Sequence, residues 1–292
     1  MDLDVTIGDE KINTTCCIGI TLIDRNSPET NGVLRRVDKV SDEAEQAGTN
    51  QIKIYVPAEG ELTRHEVDSL FKEQLTQALK DDRFVLFYQP IVSLHGDPDE
   101  RYEVFVRMFA ENGKDMIMPH EFLPAAERIG MSIAIDRWVL YRAIQDVVKR
   151  NQKSKHSRFF IKLSAASIKD ETLIEWINFQ IKDQGLPENS LIFVVQESVA
   201  VTNLKNAKDL ANSLKKIKCG FVLDDFGSGT NPFQLLEHVD ADYVRLDKSF
   251  MEDLADNPQS QETIRNIAEQ ATASGKFTIA QFVKDANSLS LL

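Results

Sequence analysis

Residues 101–109 read RYEVFVRMF. Alternate side chains of a strand share a face. Glu103, Phe105 and Arg107 therefore point one way, and Tyr102, Val104 and Val106 the other. A carboxylate and a guanidinium on one apolar strand are costly to bury unless each has a partner. Taken alone, the stretch reads as an internal ion pair. Four later stretches change that reading: FFIKLS (159–164), FVVQES (193–198), FVLDDFGSG (221–229) and DYVRLD (242–247). They end in Lys162, in Glu197, in Asp224 and Asp225, and in Arg245 and Asp247. Charged strand ends in succession point to a shared pocket.

Outward from this strand the chain alternates between the period-2 and period-3.6 patterns. Strands are predicted over 84–93, 101–109, 158–164, 190–197, 219–225, 242–247 and 276–283. Helices are predicted over 119–129, 132–151, 168–184, 202–217, 231–238 and 260–274, with another starting near 285. A polar turn, HGDPDE (95–100), joins the first two strands. Strands alternating with helices imply a parallel α/β sheet with crossovers. Seven strands suggest a TIM-like (β/α) barrel, whose working groups sit at the C-terminal strand ends. A barrel would need one more strand after Leu292. Upstream, residues 62–82 carry a helical apolar stripe (Val67, Leu70, Phe71, Leu75, Leu79), with Thr63 and Glu66 placed for a capping box. Residues 12–24 and 50–56 read as strands flanking a helix over 30–47, and Pro57–Gly60 as a break. The expected domains are thus 1–58, a linker and helix over 59–80, and 81–292. About 58 residues make a small core for an independent domain.

The 292 residues are 42% hydrophobic and 27% charged, ordinary values for a globular protein. No apolar run is long enough for a membrane span, and the acidic N-terminus is no signal peptide. A net charge of −12 argues against DNA, RNA and anionic membranes as partners. Three cysteines (Cys16, Cys17, Cys219) without metal or redox spacing fit a cytoplasmic location. Cys16 and Cys17 are expected to pack on opposite faces of one strand. Five scattered histidines make a histidine zinc site a poor fit.

Carboxylates gathered at strand ends repel unless a cation sits among them. A divalent metal is one candidate. The other is a protein-borne cation, Lys162 or Arg245. Lys162 carries three donors, enough to bridge Glu103, Glu197 and an aspartate. A GxG run such as Gly227–Gly229 is by itself only a strand-to-helix turn.

From about residue 66 onward the chain resembles the EAL domain, the cyclic di-GMP phosphodiesterase family. The matching stretches are FYQPIVSL (87–94), YEVFVRM (102–108) in place of the EALxR signature, and PHEFLPAAERIGMSIAIDRWVL (119–140). FIKLSAASI (160–168), VVQES (194–198), LDDFGSG (223–229) and DADYVRLDKSF (240–250) follow in the family's order. Residues 1–58 resemble the C-terminal end of an α+β GGDEF domain: TCCIGITLI (15–23) looks like its last core strand, and residues 33–55 like its closing helix and strand. The GGDEF signature loop is absent, which excludes cyclase activity for this chain.

The resemblance implies cyclic di-GMP as ligand. Its binding positions map onto Gln89, Glu103, Val104, Arg107, Asp136 and Phe282. Its acidic metal positions map onto Glu103, Glu197, Asp224, Asp225 and Asp247. Val104 replaces the EAL alanine and Phe282 the glycine of AEGVE, and four catalytic or metal positions also depart from the family pattern. Lys162 stands for a metal-ligand asparagine, and Arg245 for the lysine of KID. In AQFVK (280–284), Gln281 replaces a metal-ligand glutamate and Lys284 a second glutamate. A neutral carbonyl weakens a hard-metal site, and an ammonium sits where a metal would. The expectation is a cyclic di-GMP receptor that is no enzyme, needs no cofactor and takes no metal. Mg or Mn enters only under the alternative of a slow phosphodiesterase. A third alternative is a scaffold with a vestigial pocket. A narrower resemblance, to degenerate tandem GGDEF–EAL proteins of type IV pilus and twitching-motility control, implies a PilZ-domain adaptor protein as partner. An open sheet edge would also let two copies pair as a dimer.

Overall fold

In the computed structural model, residues 3–7, 10–24, 27, 28, 30–57, 63–94, 96, 99–152, 156–229 and 231–292 are described, with side chains from residue 15 onward. The predicted break over 57–60, the helix start at Leu62 and the turn over 95–100 lie partly or wholly outside the described residues.

The chain divides into two compact units, 1–75 and 76–292. In the first unit, β1 (Leu3–Ile7) pairs antiparallel with β2 (Glu10–Thr14), and β3 (Ile18–Ile20) pairs parallel with β4 (Ile52–Ile54). Helix α1 (Thr30–Gln46) lies between these last two strands in sequence and buries Val40 and Ala44, four residues apart on one face. The expected single strand over 12–24 is interrupted. Cys16 and Cys17 fall in the gap, where Cys16 is exposed and the Cys17 thiol donates to the Gly48 carbonyl at 3.2 Å. The division between units falls within α2 (Arg64–Lys80). This helix starts with the predicted capping box: the Thr63 amide donates to Glu66 Oε2 at 2.8 Å and the Glu66 amide to Thr63 Oγ1 at 3.3 Å.

The second unit is an α/β sheet: β5 (Phe84–Ile91), β6 (Glu100–Phe109), β8 (Ser157–Lys162), β9 (Leu191–Gln196), β10 (Gly220–Phe226), β11 (Tyr243–Leu246) and β12 (Phe277–Ile279), hydrogen-bonded in that order. A two-residue strand, β7 (Met116–Ile117), adds to β6. Between the strands run α3 (Pro119–Arg128), α4 (Ser132–Asn151), α5 (Leu173–Gln184), α6 (Glu197–Thr202), α7 (Leu204–Lys216), α8 (Pro232–His238) and α9 (Pro258–Ala273); α10 (Ala286–Ser290) follows β12. From β6 to β12 the neighbours are parallel, as predicted. β5 is a correction: it runs antiparallel to β6. The link over 92–99 is too short for a crossover helix, and so the strands turn back on each other.

Side chains of one face form a single cluster: Phe160, Ile192, Val194, Val222 and Tyr243. Ile91 of β5 and Ile279 of β12, the two end strands, both pack against it. The sheet is therefore curled, with this cluster inside the curl and the C-terminal ends of β6, β8, β9, β10 and β11 facing one end of it. Among the described residues no helix is long and apolar enough to cross a membrane.

Candidate functional site

Period-2 alternation puts Glu103, Lys162, Asp224 and Arg245 on the same face as the cluster; Lys162, Asp224 and Arg245 each follow a cluster residue by two, and Glu103 is opposite Phe160 in the β6–β8 register. They form one network. Arg245 donates from Nε to Asp224 Oδ1 and from Nη1 to Glu103 Oε1, each at 2.6 Å. Lys162 Nζ donates to Asp224 Oδ2 at 3.1 Å. The Asp224 side chain is 2% exposed and that of Arg245 5%. Burial opposes the charge on Asp224, but Arg245 and Lys162 outweigh it and hold the carboxyl below its ordinary range. Burial likewise opposes the charge on Arg245, and Asp224 and Glu103 override it.

Two expectations are corrected here. Glu103 and Arg107 do not form the internal ion pair, because Glu103 is taken by Arg245. Nor does Lys162 bridge three carboxylates: it pairs with Asp224, and the two-carboxylate bridge is made by Arg245, whose planar fork presents several donors at once.

The loop after β10 completes the floor. Glu197 is not a strand end but the first residue of α6, buried at 4%. Its Oε2 accepts from the Gly227 amide at 2.7 Å, and the Gly229 amide also donates to it. Burial raises the Glu197 pKa, the two amides lower it, and Asp247 and Asp225 raise it further. Gly229 has no room for a Cβ, which would run into Glu197 Oε1. Gly227 has φ +96°, and a Cβ there would lie 2.8 Å from Ile267 Cδ1. Gly227→Ala is therefore expected to cost about 1–3 kcal/mol in chemical denaturation, from overpacking and an unfavourable φ; an unchanged midpoint would show that the loop rearranges freely. Asp225 has φ +53°. Its Oδ2 accepts from Gln196 Nε2 at 3.0 Å and its Oδ1 from Gln281 Nε2 at 3.2 Å. Gln281 also donates to the Leu246 carbonyl at 2.9 Å. Asp247 is an N-cap, its Oδ1 accepting from the Ser249 amide at 2.8 Å.

These contacts decide how the acidic set would receive a divalent metal. Both oxygens of Asp224 are occupied by cationic side chains and both oxygens of Asp225 by amide donors. Glu197 is held by loop N–H groups and Glu103 by Arg245. Among the described residues no three His, Cys, Asp or Glu side chains are grouped to hold an ion. The donor set present does not fit the metal that the resemblance implies, because the oxygens of Asp224 and Asp225 at its centre face N–H donors.

The expected ligand positions divide. Gln89 is exposed and sits opposite Glu103 in the β5–β6 register. Arg107 is half-buried; its Nη1 donates to the Val106 carbonyl at 2.8 Å, and its Cζ lies 5.7 Å from the ring centroids of both Phe87 and Phe105. Among the described residues it makes no ion pair with a carboxylate. Phe282 is 60% exposed at φ +56°, a conformation a bulky side chain rarely adopts. Lys284 is exposed beside it in sequence. Val104 is a correction: it is 6% exposed on the face opposite Glu103, so its side chain belongs to the core. Asp136 is tied into the loop after β8. Its Oδ2 accepts from the Ser164 amide at 2.8 Å and from Ser167 Oγ at 2.6 Å, while its neighbour Arg137 pairs with Asp170 at 2.8 Å. Burial raises the Asp136 pKa despite these bonds.

Sequence reasoning missed Phe87 and Gln196. Phe87 lies two residues before Gln89 on the same strand face, so alternation alone would have found it. Gln196 is revealed only by its contact with Asp225.

The family model described as EAL domain matches residues 72–292. Among curated proteins, the cyclic di-GMP phosphodiesterase PdeB of Shewanella oneidensis is 30% identical over 254 residues, covering 87% of this chain and 30% of PdeB. The cyclic di-GMP phosphodiesterase PdeF of Escherichia coli is 31% identical over 212 residues, covering 73% and 28%. The chain thus spans about a third of the length of these relatives. Among solved structures, the FimX EAL domain from Pseudomonas aeruginosa bound to c-di-GMP is similar with a TM-score of 0.72 and 34% identity, covering 76% of this chain and 89% of that one. The Xanthomonas citri FimX EAL domain in complex with c-diGMP gives 0.73 and 35%, covering 77% and 88%. One expectation is overturned by these relatives. The chain was read as no enzyme, yet PdeB, PdeF and PdeR are all named phosphodiesterases, which points to an enzyme.

Proposed function

The chain belongs to the EAL-domain family, and from that premise we propose that its strand-end pocket binds cyclic di-GMP and that a protein partner reads the bound state. The observation that carries this reading is Arg107. Of the strand-end cations, Lys162 and Arg245 are engaged by carboxylates, whereas Arg107 presents its guanidinium with no carboxylate against it among the described residues. A planar fork of that kind suits phosphodiester oxygens. Solved EAL domains at 34% and 35% identity carry c-di-GMP, which supports the same ligand here. Gln89 and Phe282 are proposed as further contacts, and Asp136 is proposed to reach a guanine through Oδ1, because its bonds to Ser164 and Ser167 go to Oδ2. Because the donor set does not fit a divalent ion, binding is proposed to need no metal. The proposed partner is a PilZ-domain adaptor in type IV pilus control, by resemblance. The curled sheet is read as this family's (β/α) barrel, and residues 1–58 as a GGDEF-like fragment.

A second reading, hydrolysis of cyclic di-GMP, is favoured by the phosphodiesterase names of the relatives. Calorimetric titration with cyclic di-GMP, with and without Mg²⁺ or Mn²⁺, followed by chromatography of the nucleotide, separates the two. Metal-independent binding with the nucleotide recovered intact supports the receptor. Linear dinucleotide formed only with metal supports hydrolysis and overturns the reading of the acidic set. Absence of binding under every condition overturns both.

Phe282 adds its own expectation. A bulky residue at φ +56° carries backbone strain that glycine would not. Phe282→Gly relieves that strain while giving up unfolded-state entropy, so stability changes little. Stacking on a guanine is lost, at the lower end of about 1–3 kcal/mol because the ring is largely exposed. Titration of this variant with unchanged affinity would remove Phe282 from the binding surface.

A further inference from the structure

The proposed role of Arg107 raises the question of what aims it. A long side chain at a strand end, with no ion-pair partner, would ordinarily sample several rotamers. Here two aromatic rings lie within reach of its guanidinium. Phe87 of β5 and Phe105 of β6 are directly opposite each other in the antiparallel register, on one face of the pair. Arg107 follows Phe105 by two residues and folds over both rings, its Cζ 5.7 Å from each centroid. One nitrogen, Nη1, is spent on the Val106 carbonyl at 2.8 Å. That bond fixes the guanidinium plane and leaves the Nε–H and Nη2 donors for a ligand. Phe87 is 45% exposed, a poor place for a phenylalanine whose only task is packing. A ring face attracts a cation, and a planar guanidinium can stack on it.

We infer that Phe87 is a positioning residue, which with Phe105 clamps the Arg107 guanidinium so that its open donors meet an anionic phosphodiester oxygen of the ligand. The inference rests on the cyclic di-GMP reading for its ligand and on the aromatic clamp for its geometry, and the two are tested separately.

The clamp is read without ligand. In the Arg107 side-chain Nε–Hε NMR signal, the ring currents of Phe87 and Phe105 shift the wild-type proton from its free position; Phe87→Tyr keeps the shift, and Phe87→Leu, of similar bulk, reduces it to the part that Phe105 contributes. An Nε–Hε signal unmoved by Phe87→Leu overturns the clamp. The function is read by calorimetry with cyclic di-GMP. Phe87→Leu is expected to weaken binding about two- to fivefold, and Phe87→Tyr to restore it. In an Arg107→Ala background, Phe87→Leu is expected to have no further effect, because the residue acts through the arginine. An equal loss in both backgrounds would mean that Phe87 touches the ligand or supports the pocket by itself, and would overturn the inference. Should wild-type protein fail to bind cyclic di-GMP, the functional reading falls, while the NMR signal still decides the clamp.

Discussion

Arg245→Met is expected to lose about 3–5 kcal/mol of folding stability at neutral pH, the cost of stranding buried carboxylates without their cation. Methionine keeps the length and apolar bulk of the side chain, so the loss reports charge and not a cavity. Asp224 is 2% exposed and depends on Arg245 and Lys162; Glu103, 18% exposed, depends on Arg245. The half-exposed Lys162 remains in the variant but reaches Asp224 alone. The pH dependence carries the diagnosis. In the wild type the Asp224 pKa is depressed, so its stabilising contribution is complete above the ordinary aspartate value of 3.8 and is lost as pH falls through the lower folded value. In Arg245→Met the dominant influence left on Asp224 is burial, which raises its pKa. The sign then reverses: the carboxylate costs stability at neutral pH, and that cost fades as acid protonates it. Urea denaturation at neutral and mildly acidic pH should show the difference between variant and wild type narrowing as pH drops. A deficit below about 1 kcal/mol at neutral pH would mean that Lys162 suffices to neutralise the site.

This network was partly legible in the sequence. Alternation in RYEVFVRMF placed Glu103 on the functional face, and the recurrence of charged strand ends brought Lys162, Asp224 and Arg245 to the same place. What alternation cannot give is reach. Lys162 and Arg245 are both cations on parallel strands, β8 and β11, with β9 and β10 between them, and only coordinates show that the arginine spans two carboxylates while the lysine meets one. Glu197 looked like a strand end because FVVQ is apolar up to it, but the chain has already turned into α6 there and its carboxylate belongs to the Gly227–Gly229 loop. The direction of β5 was misread for a related reason. Its composition resembles that of the parallel strands, and only the shortness of the 92–99 link, set against the length a crossover needs, signals the antiparallel pair.

Arg107→Ala is expected to behave in the opposite way to Arg245→Met. Arg107 has no carboxylate partner among the described residues, so removing it strands no buried charge. Stability should fall by less than about 1 kcal/mol, the worth of an exposed cation–aromatic contact. Affinity for cyclic di-GMP should fall by about 1.5–3 kcal/mol, the scale of a charge-assisted hydrogen bond, or roughly ten- to a hundredfold. The salt dependence of binding should weaken with it, because a phosphate-facing cation is screened by ions in solution. Both cations lie on the same face of one sheet. What separates them is whether the protein itself supplies the anion. Arg245 is satisfied by Asp224 and Glu103 and is read in the unfolding curve; Arg107 is left for a ligand and is read in the binding isotherm. If Arg107→Ala unfolded the protein as Arg245→Met does, or left cyclic di-GMP binding untouched, that division of labour would be wrong and the ligand's phosphates would have to be met elsewhere.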